Sequence, residues 1–374
     1  MIKKIISTYS IAIALTHTLC AQSLPVPDHI VIVMEENHAY EEIMGDSSAA
    51  APYINSLPSD TDAALFTQYY ALDHPSQPNY LMLFSGSDQN VNGDDIPTTP
   101  FTDCNLGASL LTNNYTFMGY SESEPSVGYL GDTYGTTYVR RHAPWANWQG
   151  ASTNAIPDSC NAPYTSFPTD YNLLPTVSFV IPNLNDDMHN GTISEGDTWL
   201  KNNLPNYIAW AKTHNSLFVL TFDEDDNYHN NHIVTIFIGQ MVKGGTYSDT
   251  TIHYDLLRTI ESIYGLTTDC GYSDSTNAAI TITKCWKEVS TRVNQLSVNG
   301  DQLSIYPNPT TGFINITNSN KIGEIKVTNL LGQLIYEAQP NQKNYSFEIK
   351  DTGIYFVTVV TGNKIETQKI VVSK

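Results

Sequence analysis

Up to Tyr264 the chain is punctuated by short, continuous apolar runs. His29 to Met34, Tyr115 to Gly119, Val177 to Ile181, Leu217 to Phe222 and Ile233 to Ile238 are β-branched or aromatic-rich and of strand length. Helix-compatible stretches lie between and after them, notably Asp197 to Thr213 and Tyr254 to Tyr264. That alternation predicts an α/β domain with a mostly parallel sheet flanked by helices. Around Asp301 the texture changes. Phe313 to Ile316, Ile325 to Val327, Gln333 to Tyr336, Tyr345 to Ile349, Gly353 to Val360 and Lys364 to Val372 are separated by turn residues, which predicts a small antiparallel β-sandwich.

The start of the chain belongs to neither pattern. Met1-Ile2-Lys3-Lys4, an apolar run from Ile5 and the ending Leu19-Cys20-Ala21-Gln22 have the three regions of a secretory signal peptide, with cleavage expected after Ala21. The run is short and contains His17, which argues against a membrane anchor and against stable membrane insertion. The expected organisation is therefore a signal peptide at 1–21, an α/β domain at 22–290, a linker at 291–302 and a β-sandwich at 303–374. Export also changes how the cysteines read. Cys104, Cys160, Cys270 and Cys285 remain after cleavage, an even number that predicts two disulfides; of the three pairings the local one is Cys104 with Cys160 and Cys270 with Cys285. None has the CxxC spacing of a cysteine metal site.

Thirty-eight acidic against 18 basic residues leave a formal charge of −20. A basic nucleic-acid or anionic-membrane surface is thereby disfavoured. Such a charge helps solubility, but it repels an anionic substrate. A phosphate site would need bound cations or local arginines to reverse the sign.

The polar residues after the strands carry the candidate chemistry. Glu35-Glu36-Asn37-His38 follows the first, Asn185-Asp186-Asp187-Met188-His189 the third and Asp223-Glu224-Asp225-Asp226 the fourth. Ligands of open α/β sheets bind beyond the carboxyl ends of strands, so these groups converge on one crevice. Before an apolar, helix-compatible Tyr80 to Phe84 stands His74-Pro75-Ser76-Gln77-Pro78-Asn79-Tyr80. A serine there reads as an ordinary helix cap or as a nucleophile held at the positive end of the helix dipole. Glu36, Asn37, Ser76, Asp187, His189, Asp223, Glu224 and His232 together offer oxygen and imidazole donors suited to hard or borderline divalent cations.

These motifs carry a resemblance. Val31 to His38, Ala51 to Leu57, His74 to Tyr80, Pro182-Asn183-Leu184 with Asp187-Met188-His189, Asp223-Glu224-Asp225 and Asn231-His232-Ile233 resemble the phosphoesterase family of acid phosphatases and phospholipases C, within the alkaline phosphatase superfamily. The resemblance implies Ser76 as nucleophile and Asn79 as a holder of non-bridging phosphate oxygens. It implies Glu36-Asn37 as the first metal-ligand pair, Asp223-Glu224 as the second, Asp187 and His189 between them, and His232 opening the late strand. Two-zinc members carry Asp-His where this chain has Asp223-Glu224, so one or two ions are implied, with Zn, Ca, Mg and Mn undistinguished. His142, in a Tyr138 to Pro144 segment that also resembles the family, would bond the phosphate or protonate the leaving group, or else pack near Trp145; His74 adjoins the nucleophile.

Leu303 to Lys374, with Tyr306-Pro307-Asn308-Pro309, Asn329-Leu330-Leu331-Gly332-Gln333, Gly353-Ile354-Tyr355 and Lys369-Ile370-Val371-Val372, resembles the C-terminal sorting domain of type IX secretion. Together the resemblances imply a secreted or surface-held hydrolase, reached through the periplasm, whose partners are a small phosphate ester and the type IX machinery. Monoester hydrolysis through a phosphoserine is the leading expectation, because no basic or amphipathic membrane-docking stretch is present. The alternatives are a phospholipase C or other phosphodiesterase, and a surface-binding protein without catalysis.

Overall fold

The computed structural model describes residues 24–44, 48–266, 270, 279–287, 303–330, 332–362 and 364–373, so the expected signal peptide and linker lie outside the described residues. The chain divides into two compact units, Met1–Val289 and Ser290–Lys374.

In the first unit the described strands are β1 (His29–Glu35), β2 (Ala63–Tyr70), β3 (Phe117–Ser121), β4 (Thr133–Tyr134), β5 (Tyr138–Val139), β6 (Asn161–Pro163), β7 (Val177–Ile181), β8 (Ser216–Phe222), β9 (His232–Gly239), β10 (Gly245–Tyr247) and β11 (Thr251–Ile252). β4 and β5 form a separate ribbon. The others make one sheet in the order β10-β2-β9-β8-β1-β7-β3-β6, with β11 also on β2. Its neighbours are parallel except around β9, which runs against β2 and β8. β8 and β9 are buried along their whole length and β1 along all but its first residue. A strand covered on both faces has no polar alternation, which is why these runs read as continuously apolar. Burying each of Ile30 to Val33 contributes about 1.5–3 kcal/mol, so the centre of the sheet is a firm base for whatever its ends carry.

The helices are α1 (Tyr40–Met44), α2 (Pro52–Ser56), α3 (Ser76–Ser85), α4 (Leu106–Thr112), α5 (Ile193–Asn203), α6 (Pro205–Ala211) and α7 (His253–Tyr264). The single helix expected over Asp197 to Thr213 is two. Pro205 has no N–H to continue α5, and Leu204 both ends α5 and starts α6. α5 also begins earlier, at a capping box in which Thr192 and Glu195 bond each other's backbone N–H.

The expected local disulfides do not form. Cys104 pairs with Cys270, while Cys160 and Cys285 are free and buried. Folding decides this: α4 sets Ser109 Oγ 3.5 Å from both bonded sulfurs, and Cys285 instead lies against the Met241–Lys243 turn, its carbonyl taking the Lys243 N–H.

In the second unit, β12 (Ser304–Tyr306), β13 (Phe313–Ile322) and β16 (Gln342–Glu348) form one antiparallel sheet. β14 (Glu324–Asn329), β15 (Leu334–Ala338), β17 (Gly353–Thr361) and β18 (Lys364–Val372) form another. Ile314, Ile316, Ile325, Val327, Val357, Val359 and Ile370 share one core between them. Buried and half-buried positions alternate along β17, as one-sided packing requires.

Candidate active site

α3 is buried along its whole length and is locked into the core by Leu81, Leu83 and Phe84; Gly86, with φ 68°, closes its C-terminus by donating to the Met82 carbonyl. Pro75, not Ser76, occupies the N-cap position. Ser76 is the first helical residue and makes no cap bond, so its hydroxyl is free to point elsewhere. Its Oγ lies 3.1 Å from Glu36 Oε2 and 3.3 Å from Glu224 Oε1. One hydroxyl proton cannot serve both at once.

The carboxylates arrive from adjacent strand ends. Glu35 at the end of β1 sits opposite Phe222 at the end of β8, and β7 pairs with β1 on the other side. Backbone bonds then stitch the loops: Glu36 N–H donates to the Asp187 carbonyl at 2.8 Å, and Asp223 N–H to the Glu35 carbonyl at 3.0 Å. Asn37, at φ 57°, a conformation asparagine tolerates, donates its backbone N–H to Asp223 Oδ1 at 3.0 Å and its side-chain amide to Glu36 Oε2 at 3.2 Å. His189 N–H donates to Asp187 Oδ1 at 2.8 Å, and a His253 ring nitrogen lies 3.0 Å from the Asp223 carbonyl.

The histidines divide. His142 stacks on Tyr80 at 5.1 Å and lies 3.3 Å from Glu36 and 3.4 Å from Asp187, yet its Nε2 forms no hydrogen bond. Ligand atoms of Glu36, His142 and His189 lie within 4.8 Å of one another. Sequence reasoning placed His142 beside the substrate; the geometry puts it among the ligand-type groups. His74, at the mouth, has Nδ1 2.9 Å from Glu224 Oε2 and Nε2 3.1 Å from Asp225 Oδ1. His232 is not brought into the cluster. Its ring is sandwiched by Tyr40 and Tyr70, and its nitrogens lie 2.8 Å from Glu41 Oε1 and 3.0 Å from the Thr67 carbonyl. Asn79 is nearby but occupied: its oxygen takes the Leu72 and Asp73 N–H groups, and its amide donates to the Asp73 carbonyl at 2.7 Å and toward Glu224 at 3.4 Å. It fixes the loop that precedes Ser76.

Electrostatically the cluster is unfavourable by itself. Glu36, Asp187 and Asp223 are fully buried. Burial, followed by mutual repulsion, raises Glu36 well above the ordinary carboxylate range. Burial likewise raises Asp187, takes Asp223 to about 6 and, with repulsion from Asp223, takes Glu224 to about 9. Burial first, then the Arg141 charge, pushes His142 down, so it is a neutral imidazole. Asp187 Oδ2, Asp223 Oδ2 and His142 Nε2 are buried without a hydrogen-bond partner. Orphaned oxygens, a neutral imidazole and clustered carboxylates fit a divalent cation, which would offset the repulsion and occupy those atoms.

Three contributors escaped sequence reasoning as functional residues. Tyr80 makes a short hydrogen bond to Glu36 Oε1 and backs the His142 ring. Arg141 brings a positive charge beside His189, and Asp94 approaches from the loop after α3. Tyr80 and Arg141 lie inside quoted motifs, whereas Asp94 had no sequence signal.

A buried carboxylate–imidazole cluster beside a helix-borne serine lies at the carboxyl edge of a mostly parallel sheet, where α/β proteins bind their ligands. The chain belongs to the phosphoesterase family, whose model matches residues 60–267. It is 45% identical over 270 residues to the phosphatidylinositol-3-phosphatase of Mycobacterium tuberculosis, covering 72% of this chain and 86% of that protein. It is 28% identical over 226 residues to the phosphate-repressible acid phosphatase of Penicillium chrysogenum, covering 56% of this chain and only 55% of the relative. Among solved structures, a protein in the alkaline phosphatase superfamily from Vibrio parahaemolyticus is similar with a TM-score of 0.48 and 11% identity, over 94% of this chain and 83% of that one. Residues 304–373 match a secretion system C-terminal sorting domain. The protein is thus a hydrolase of phosphoric ester bonds carrying a signal for secretion or surface localisation.

Proposed function

We propose that the protein is a metal-dependent acid phosphatase that cleaves phosphate monoesters through a phosphoserine at Ser76, and that type IX machinery exports it. The observation that carries this reading is the Ser76 hydroxyl, 3.1 and 3.3 Å from two carboxylates of a cluster that holds orphaned buried oxygens. Glu36, Asp187, Asp223, Glu224, His142 and His189 would hold one or two divalent ions, with Asn37 and Ser76 at the edge of the donor set. When bound, the cation lowers the pKa of the serine hydroxyl and offsets charge on the phosphoryl oxygens.

The chain's own residues do the rest. Glu36 or Glu224 accepts the Ser76 proton as Oγ attacks phosphorus and the alkoxide leaves. His74, at the mouth, is positioned to protonate that leaving oxygen. Water then cleaves the phosphoserine and releases inorganic phosphate. Tyr80 and Asn79 hold Glu36 and the loop before Ser76 in place.

The identity to a phosphatidylinositol-3-phosphatase favours a second, narrower reading, a phosphoinositide monoester as natural substrate. Rates on an aryl phosphate, a bis-aryl phosphate, phosphatidylinositol 3-phosphate and phosphatidylcholine, with metal measured on the same sample, test both. Monoester turnover well above diester turnover is expected. Preferential cleavage of phosphatidylcholine would replace this reading with a phospholipase C.

A further inference from the structure

We propose that His253 is a positioning residue: its Nε2–H holds the Asp223 carbonyl and thereby aims the Glu224 carboxylate at Ser76. The inference rests on the phosphatase reading and adds to it a group from α7, behind the strand ends.

Strand pairing brings His253 there. β11 lies along β2 with Thr251 opposite Tyr69 and Ile252 opposite Tyr70, and the chain turns into α7 at the next residue. Asp255 fixes that turn by taking the Ile252 N–H at 2.8 Å. His253 is thereby set edge-on to Tyr69, with ring centroids 5.6 Å apart, and neither residue is exposed. Its Nε2 lies 3.0 Å from the Asp223 carbonyl and its Nδ1 3.4 Å from the Tyr69 hydroxyl. A carbonyl only accepts, so Nε2 carries the proton; Nδ1 of the neutral ring is then the acceptor, and the Tyr69 O–H donates to it. Burial keeps the ring neutral, taking its pKa down to about 4. The tautomer is set from both sides.

The imidazole holds the peptide that joins two carboxylates of the site. Asp223 is fixed without it, because its N–H goes to the Glu35 carbonyl and its Oδ1 takes the Asn37 N–H. Glu224 is the first residue beyond those bonds. Its carboxylate nevertheless meets Ser76 Oγ at 3.3 Å, His74 Nδ1 at 2.9 Å and the Asn79 amide at 3.4 Å. A side chain with the rotamer freedom of glutamate keeps such an aim only when its backbone is fixed. Rotation of the Asp223 carbonyl would swing Glu224 away from the serine, and His253 blocks that rotation. Filling space alone would not call for an imidazole, since burying its polar nitrogens costs free energy that a phenyl ring avoids.

The test joins nitrogen NMR of the histidine rings to a mutant cycle, in the full chain at saturating divalent cation with an aryl phosphate as substrate. The His253 ring signals, assigned by their loss in His253→Gln, should report the Nε2–H tautomer at neutral pH. An Nδ1–H tautomer or an imidazolium overturns the proposal. His253→Phe should lower kcat about tenfold with KM within about twofold, because the groups that meet phosphate are untouched. His253→Gln, whose amide keeps a donor and an acceptor, should recover most of that loss. In the already slowed Glu224→Gln chain, His253→Phe should cost little more. An unchanged kcat in His253→Phe, or an equal loss in both backgrounds, overturns the proposal. If His253→Phe fails to fold, Tyr69→Phe takes its place in the cycle, with about a threefold loss expected in the wild-type background and none beside Glu224→Gln; equal losses, or no loss in either, overturn it. If the wild-type chain turns over no phosphate ester, the phosphatase reading fails, and the ring tautomer still decides whether His253 holds the Asp223 carbonyl.

Discussion

The two units of this chain bury different things. Among the described residues, the C-terminal sandwich buries only neutral polar side chains, Thr310, Asn318 and Thr361. The α/β unit buries Glu35, Glu36, Asp187, Asp223 and Asp225 with no exposure at all. Its loops also carry Asn37 and Met188 at left-handed φ, a conformation that is strained for methionine. Burying like charges opposes folding unless something else gains from it. The contrast teaches that the sheet edge of the α/β unit gathers buried acids that folding alone does not favour, whereas the sandwich buries none among its described residues.

The most severe way to break this contrast is at the nucleophile. Ser76→Ala should abolish aryl phosphate hydrolysis and leave metal content close to that of the parent chain. Residual activity within tenfold of wild type would refute the assignment.

Next is removal of the cation, read through stability. With raised carboxyl pKa values the folded state binds more protons than the unfolded state between the ordinary carboxylate value near 4 and the raised values, about 6 for Asp223 and about 9 for Glu224. Stability of the chelated protein must then fall as pH rises through that window. Calorimetry at pH 5, 7 and 9 should show this slope in chelator and its loss on adding a divalent ion. A flat chelated profile would mean the cluster is not organised as described.

A smaller effect is expected at Tyr80. Tyr80→Phe removes a hydrogen bond to a charged carboxylate, roughly 1.5–3 kcal/mol, so kcat should fall about ten- to a hundredfold with metal still bound. An unchanged kcat would make Tyr80 mere packing. Smallest of all, deleting 303–374 should leave kcat unchanged in the purified protein but strand it in the periplasm. Normal export of the truncated chain would remove the sorting role from the sandwich.

Much of this was legible beforehand, for reasons that differ by region. β7 spans the expected Val177 to Ile181, and β18 the expected Lys364 to Val372. Ser216–Phe222 and His253–Tyr264 differ from expectation by one residue. β2 was missed, because the polar Thr67-Gln68 pair interrupts its apolar run. The capping box at Thr192 was readable in principle and would have placed the start of α5 correctly.

The linear order of residues determined the alternation that makes an α/β unit, the period-two pattern of the sandwich, and the acids and imidazoles at strand ends. Those are local properties, set by which side chains neighbour each other along the backbone. Which groups finally met was decided only by tertiary structure. His232 has the right residue type and stands at the right end of β9, but Tyr40, Tyr70, Glu41 and Thr67 hold it elsewhere. His142 joined the carboxylates because Tyr80 gives its ring a face to stack on. Cys104 found Cys270 across the fold instead of its nearer neighbour. Distance through space and competition among buried partners set these outcomes, and neither is written in sequence separation.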